Sequence, residues 1–301
     1  MKCKVAVLLS SYNGEKYIRE QIDSVLSQEG VEVILFIRDD GSSDRTIDVL
    51  KEYLNSKKCI MRFENNVGVV RSFFSLMEYA EGYDYYAFCD QDDVWDSDKI
   101  ICAIEKIKDH CDEPSMYYSK TLPVDSELKP LSYEASNSDE EHLFVLEEVL
   151  LRNNAIGCTM VINKKLKQQI ARKFPQNVIM HDHWIYAVCR ALNGYVYFDK
   201  TPHIKYRQHG GNVIGHKMTV KAKLQHSSFS KNKRVRSGMA KELIDIYSNE
   251  IPDKNREVIL NCANYRNSII SRIKLINQEA RFTKNYKKRL FFIIQVMTGV
   301  Y

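Results

Sequence analysis

From residue 4 to about residue 110 the chain repeats one pattern four times, and that repeat constrains the fold more than any other feature. A short apolar run is followed by a polar loop, then by a segment with apolar residues three and four positions apart. The runs are Val5-Ala6-Val7-Leu8-Leu9, Val33-Ile34-Leu35-Phe36-Ile37, Ile60-Met61-Arg62-Phe63 and Tyr85-Tyr86-Ala87-Phe88-Cys89. The first alternates little, as a central strand covered on both faces should. Helical spacing follows in Tyr17, Ile18, Ile22, Val25 and Leu26, with the helix expected from Glu15 onward. It recurs in Ile47, Leu50, Tyr53 and Leu54, and around Phe73-Phe74-Leu76-Met77. Strand, loop and helix in alternation predict an α/β fold, with a mostly parallel sheet joined by right-handed crossovers and helices on both faces. Ligands of such sheets bind beyond the carboxyl ends of the strands, where these polar loops lie.

The loops carry the chemistry. In Ser10-Ser11-Tyr12-Asn13-Gly14 an aromatic ring can stack on a base beside polar groups for ribose and phosphate; an ordinary Asn-Gly turn is the plainer reading. In Asp39-Asp40-Gly41-Ser42-Ser43-Asp44 a carboxylate can accept the imide N–H of uracil or thymine, and capping of the next helix is compatible with that role. Neither G-x-G-x-x-G nor G-x-x-x-x-G-K-[ST] is present. Arg71, at the start of the third helix, either meets a diphosphate or is a surface arginine. Asp90-Gln91-Asp92-Asp93 crowds three carboxylates after a buried strand. Such a cluster suits a hard cation, Mg2+ or Mn2+. Its alternative is a solvated acidic turn, with Ser97 or Asp98 as N-cap of the following helix.

These motifs, in this order, resemble the donor-site motifs of family 2 glycosyltransferases of the GT-A fold, in particular the rhamnosyltransferase-like bacterial branch that builds surface polysaccharides. The resemblance covers about residues 4–215. It implies that Tyr12 and Asp40 hold a pyrimidine base, and that Asp90 and Asp92 face ribose and a divalent metal, Mn2+ or Mg2+, on the donor diphosphate. The donor-contacting set expected from it is Ser11, Tyr12, Asn13, Glu15, Asp40, Arg71, Asp90, Gln91 and Arg207. The partners expected are a dTDP- or UDP-linked sugar and a glycan acceptor, possibly lipid-linked, without nucleic acid.

Further along, Met116-Tyr117-Tyr118 and Thr159-Met160-Val161-Ile162 read as strands, and Leu143 to Leu151 as a helical run. Gly157-Cys158 resembles the acceptor-side turn of the family. His181-Asp182-His183-Trp184 opens a helix in which two imidazoles can keep a carboxylate ionised and oriented as a general base. A plain helix start and a His-Asp metal pair are the other readings; the second needs an all-helical setting, which the surrounding strands deny. Asp182 matches the family's base position, and the resemblance makes His209 the completion of a metal shell with Asp90 and Asp92. Past the strand-like Tyr195-Val196-Tyr197-Phe198, Tyr206 to Asn212 offers Arg207 for diphosphate charge and the Gly210-Gly211 pair for a loop over bound donor.

Charge divides the chain. Residues 217–301 hold 18 Lys/Arg against 6 Asp/Glu, a tail of about +12 on a body of about −7. The expected organisation is a GT-A domain over 1–216, split near 112 into donor and acceptor halves, with a basic helical region over 217–301. The tail's Lys231 to Arg234 cluster and Lys287-Lys288-Arg289, before Leu290-Phe291-Phe292-Ile293-Ile294, fit an interfacial membrane segment or a helical bundle against the body or a second subunit. No aromatic-basic interleaving points to nucleic acid. The eight cysteines form no CxxC pair and read as reduced core residues. Val5 to Leu9 is too short for a secretory h-region and no run reaches the ~20 residues of a membrane span. The expected location is cytoplasmic, possibly peripheral on the inner face of the cell membrane. Two other functions share the acidic sheet site: a sugar-phosphate nucleotidyltransferase, which would want a Gly-rich basic loop near the N-terminus, and a catalytically silent nucleotide-sugar-binding scaffold.

Overall fold

The computed structural model describes residues 2–131, 142–209, 235–282 and 286–299. The four expected repeats are present: β1 (Lys4–Ser11), α1 (Ile18–Leu26), β2 (Glu32–Asp39), α2 (Thr46–Lys51), β3 (Cys59–Phe63), α3 (Val69–Tyr79), β4 (Tyr85–Cys89), then β5 (Val94–Trp95) and α4 (Lys99–Ile107). Next come β6 (Ser115–Ser119), β7 (Leu122–Val124), α5 (Leu146–Val149), β8 (Val161–Asn163), α6 (Lys164–Ile170), α7 (His181–Ala191), β9 (Tyr195–Asp199) and β10 (Ile204–Arg207). Four helices close the described chain: α8 (Val235–Tyr247), α9 (Asp253–Asn264), α10 (Ile269–Phe282) and α11 (Tyr286–Met297).

The described residues form two compact units. The first draws on Met1–Leu143, Ala155–Ala171 and Tyr195–His216; the second on Phe144–Asn154, Arg172–Gly194 and Lys217–Tyr301. The first unit is built on a seven-stranded sheet in the order β3-β2-β1-β4-β8-β6-β9. All pairings are parallel except those of β8, which runs against β4 and β6. Val5 to Leu9 and Tyr86 to Cys89 are at most 1% exposed, as expected of strands covered on both faces. Ile18, Ile22 and Val25 of α1 and Ile100, Ala103, Ile104 and Ile107 of α4 pack into the same core. A small second sheet, β5-β10-β7, stands beside the end of β4.

Several local expectations need correction. The first helix begins at Ile18, not Glu15, because Asn13 takes φ 50° and Tyr17 N and Ile18 N both bond Gly14 O in a turn. The run Leu143 to Leu151 yields only the single turn of α5. Asp98 stands at the N-cap of α4 without capping it, since its carboxylate faces His203 Nδ1 at 3.1 Å and the Cys102 thiol at 3.5 Å. Tyr206 and Arg207 end a strand instead of opening a loop. Gly210-Gly211-Asn212 and Lys231 to Arg234 lie outside the described residues.

The second unit packs α7 against α5 and α8, with Trp184 to Ala187 fully buried. Arg190 Nε donates to Phe144 O at 2.9 Å, and Asn255 Nδ2 closes the last carbonyls of α7 through Arg190 O and Ala191 O. No helix among the described residues is long and apolar enough to cross a membrane.

Candidate active site

In the first unit, the loops after β1 and β2 are laced together. Ser11 Oγ donates to Asp39 at 3.1 Å, and Asp40 N to Ser11 O at 2.8 Å. Asn13 N donates to Ser42 Oγ at 2.9 Å while Asn13 Oδ1 accepts Ser43 N at 2.8 Å. Gly14 N donates to Thr46 Oγ1, Glu15 N to Asp44, and Glu15 Oε2 accepts Arg45 N at 2.8 Å. Asn13 and Glu15, expected to touch a ligand, therefore bond the neighbouring loop. The lacing fixes the strand ends before any ligand arrives, which is preorganisation.

Asp39 and Asp40 are both buried, and each has a defined set of donors. Asp39 accepts Ser42 N at 2.9 Å and Ser42 Oγ at 2.5 Å. Asp40 pairs with the buried Arg38 guanidinium and accepts Val67 N at 2.8 Å and Gly68 N at 2.9 Å. A carboxylate offers about four acceptor positions, so Asp40 keeps one beyond these three bonds. Gly41 makes the loop possible: its φ is 79°, and a Cβ there would lie 3.1 Å from Asn66 N. An open cleft of about 580 Å3 adjoins these residues, lined by Arg38, Asp39, Gly41, Phe63, Glu64 and Val67 among others. The Tyr12 ring is 49% exposed, and Arg71 is exposed on the first turn of α3.

At the end of β4 the motif residues separate by role. The Gln91 amide clasps the Tyr12 backbone, accepting its N–H at 2.8 Å and donating to its carbonyl at 3.0 Å. It acts on the Tyr12 loop, and Gly14 leaves it room, since a Cβ there would fall 2.3 Å from Gln91 Oε1. Asp92 Oδ2 and His209 Nε2 stand 2.7 Å apart. Adjacent ligands of an octahedral Mg2+ or Mn2+ are about 3 Å apart, and carboxylate with imidazole is a donor set such ions accept. The 2.7 Å contact is itself a hydrogen bond, and the two residues are of the type that would hold a divalent cation in its place. Asp90 instead groups with Asp93 and Cys158, their donor atoms within 4.8 Å of one another. Burial, reinforced by the charges of Asp92 and Asp90, holds the Asp93 carboxyl well above the usual carboxylate range. Burial likewise pushes the Cys158 thiol far up.

Arg207 corrects an expectation. It is 1% exposed and its guanidinium bonds Asp92 O at 2.8 Å, Ser126 O at 2.6 Å and Glu20 Oε2 at 2.5 Å, lying 4.3 Å from the Tyr17 ring centre. Its own N–H reaches Asp93 Oδ1 at 3.0 Å. Arg207 thus ties β10, which leads to His209, to the acidic turn and is enclosed by protein, not presented to a diphosphate. Lys99 was not anticipated at all. Its Nζ is buried 3.7 Å over the Trp95 ring with no hydrogen-bond acceptor among the described residues. Burial lowers its pKa to about 8 against the opposing pull of Cys158, Cys89 and Asp93.

Asp182 belongs to the second unit, in the first turn of α7, 6% exposed. Its Oδ1 accepts His183 N at 2.6 Å. The flanking imidazoles do not act as charged partners. Burial lowers His181 to about 3, and His183 to about 4 against its contact with Val149 O, where Nε2–H donates at 2.6 Å. Both rings are neutral at physiological pH, so imidazolium charge does not hold Asp182.

Comparison with known proteins gives the family. The model of "Glycosyl transferase family 2" matches residues 6–127. The dTDP-rhamnosyl transferase RfbG of Shigella flexneri is 30% identical over 246 residues, 77% of this chain and 82% of that protein. The putative teichuronic acid biosynthesis glycosyltransferase TuaG of Bacillus subtilis is 30% identical over 169 residues, covering 55% of this chain and 64% of that one. Among solved structures, S. aureus TarS 1-349 in complex with UDP-GlcNAc superposes with a TM-score of 0.63 at 17% identity, over 93% of this chain and 80% of that one. The mannosyltransferase PcManGT of Pyrobaculum calidifontis, in complex with GDP-Man and Mn2+, gives 0.55 at 14% identity, over 100% and 81%. The mostly parallel sheet with flanking helices is the GT-A architecture of these structures, and the chain belongs to the family 2 glycosyltransferases.

Proposed function

We propose that this glycosyltransferase is inverting and metal-dependent, and that it moves a sugar from a pyrimidine-nucleotide donor to a glycan acceptor in capsule, cell-wall or other surface polysaccharide synthesis. The observation that carries the donor reading is the laced pair of loops, with Asp39 and Gly41 lining an open cleft and one acceptor position left on the neighbouring buried Asp40. An imide N–H of thymine or uracil suits that position, and the exposed Tyr12 ring suits stacking on the base. The similarity to RfbG favours dTDP-rhamnose over a UDP-hexose.

Asp92 and His209, joined on this reading by Asp90, would hold Mn2+ or Mg2+, which when bound would neutralise charge on the departing diphosphate. Asp182 takes the proton from the acceptor hydroxyl. That oxygen then attacks the anomeric carbon from the face opposite the leaving group, and the bond to the diphosphate oxygen breaks. One displacement with no covalent enzyme intermediate inverts the anomeric centre. The acceptor on this reading is a growing glycan on a lipid carrier, so the enzyme works peripherally on the inner face of the cell membrane.

The test is a thermal-shift panel of dTDP- and UDP-sugars with Mn2+, followed by transfer assays. A donor held at a hundredfold excess over its Kd adds about 2.7 kcal/mol to stability. Asp182→Asn is expected to abolish transfer while donor binding persists; turnover retained in that variant would remove Asp182 as the base.

A further inference from the structure

The outward face of the last two helices is apolar in a region where solvent should select polar side chains. On α11, Tyr286, Leu290, Phe291, Ile294 and Met297 are each more than half exposed. At 100° per residue they fall within an arc of about 140°. The opposite side of the same helix carries Phe292 and Val296, 7% and 0% exposed, which pack inward. The neighbouring α10 repeats the pattern: Ile269, Ile270 and Ile273 are 72%, 69% and 53% exposed, while Leu275 is buried across the helix. Each helix thus has two apolar faces, and packing against the rest of the unit accounts for only one of them. Exposed apolar surface of this extent on a soluble chain marks an interaction site.

Charge identifies what it meets. Arg281 flanks the outer stripe of α10 and Arg289 that of α11, both exposed, while Lys274 beside the α10 stripe pairs with Glu257 at 2.7 Å. Between residues 265 and 301 there are eight Lys/Arg and a single acidic residue, Glu279. A second copy docking through the same face would set one strongly basic surface against another, which like-charge repulsion opposes. An anionic lipid surface complements both features, taking the apolar stripe at the acyl boundary and the basic rim at the headgroups. Neither helix is long enough to span a bilayer.

We propose that the outer face of α10 and α11 docks the enzyme on an anionic bilayer, lying in the interface; this extends the reading that it works peripherally at a membrane and is independent of donor chemistry. The test is flotation of the full chain with phosphatidylcholine vesicles, with and without phosphatidylglycerol, at low and high salt. Binding is expected only to the phosphatidylglycerol vesicles and should weaken with salt. Phe291→Glu combined with Ile294→Glu removes two anchors and is expected to weaken binding about tenfold or more, since each buried side chain of this size contributes roughly 1.5–3 kcal/mol. Arg281→Glu with Arg289→Glu, both on the surface, should weaken binding without touching the apolar stripe. Transfer to a short soluble acceptor is measured in parallel and should be unchanged in all variants, so loss of docking and loss of catalysis read separately. Absence of vesicle binding, binding unaffected by either pair, or a dimer dissolved by the Phe291 and Ile294 changes would each overturn the proposal.

Discussion

Replacing Lys99 by Met should make the protein more stable, although it removes a charged residue beside the acidic turn. The ammonium is fully enclosed and has no hydrogen-bond acceptor among the described residues; the Trp95 ring lies 3.7 Å away. Burial lowers its pKa from 10.5 to about 8. At 1.36 kcal/mol per unit, keeping it charged in the folded state costs about 3 kcal/mol. Met has nearly the same length and no charge, but loses the cation–ring contact, worth roughly 0.5–2 kcal/mol. The net gain expected at pH 7 is about 1–3 kcal/mol, at roughly 2–4 °C per kcal/mol in the melting temperature. The pH dependence gives a sharper signature. Below about pH 8 both folded and unfolded Lys99 are protonated, so the penalty is complete and flat. Between about 8 and 10.5 the unfolded chain binds the extra proton, so wild-type stability rises with pH relative to the variant. The advantage of Lys99→Met should therefore be largest at pH 7 and shrink toward pH 10.5. Urea titrations of both proteins at half-unit steps from pH 7 to 10.5 measure it, and the difference between the two curves cancels the other titrating groups. A variant less stable than wild type at pH 7, with a difference that does not change with pH, would refute the reasoning, because it would mean the ammonium has a strong polar partner.

Two further outcomes are expected. EDTA should suppress transfer, and Asp92→Asn should raise the Mn2+ concentration needed for half-maximal activity; an EDTA-treated enzyme that keeps full activity removes the metal from the reaction. Acidification should destabilise the second unit, because His181 and His183 are neutral when folded, with pKa values lowered to about 3 and about 4. Their contribution is complete above the unfolded value of 6.5 and is lost as pH falls toward those folded values. It amounts to about 2 kcal/mol per histidine at pH 5. Denaturant titrations at pH 7, 6 and 5 check this, with His181→Leu expected to remove roughly half of the slope.

The sequence by itself determined the repeated α/β architecture and the position of the loops after β1, β2 and β4, because both follow from local rules. Apolar runs such as Val5 to Leu9 demand cover on both faces, helical spacing places apolar side chains on one side, and polar loops at strand ends follow from that alternation. It also brought His209 and Asp92 into one expectation, through resemblance and not through spacing. What only the tertiary structure decided is which partner each long polar side chain takes. Arg207 meets Glu20 across 187 positions, and Gln91 reaches the Tyr12 backbone across 79; nothing local records either contact. The same holds for the reversed strand β8, for Asp98 turning to His203 and the Cys102 thiol instead of capping its helix, and for Lys99 lying enclosed without an acceptor among the described residues. Spacing along the chain says which face a residue occupies. Only the packed fold says whether the atoms waiting there are solvent, ligand or protein.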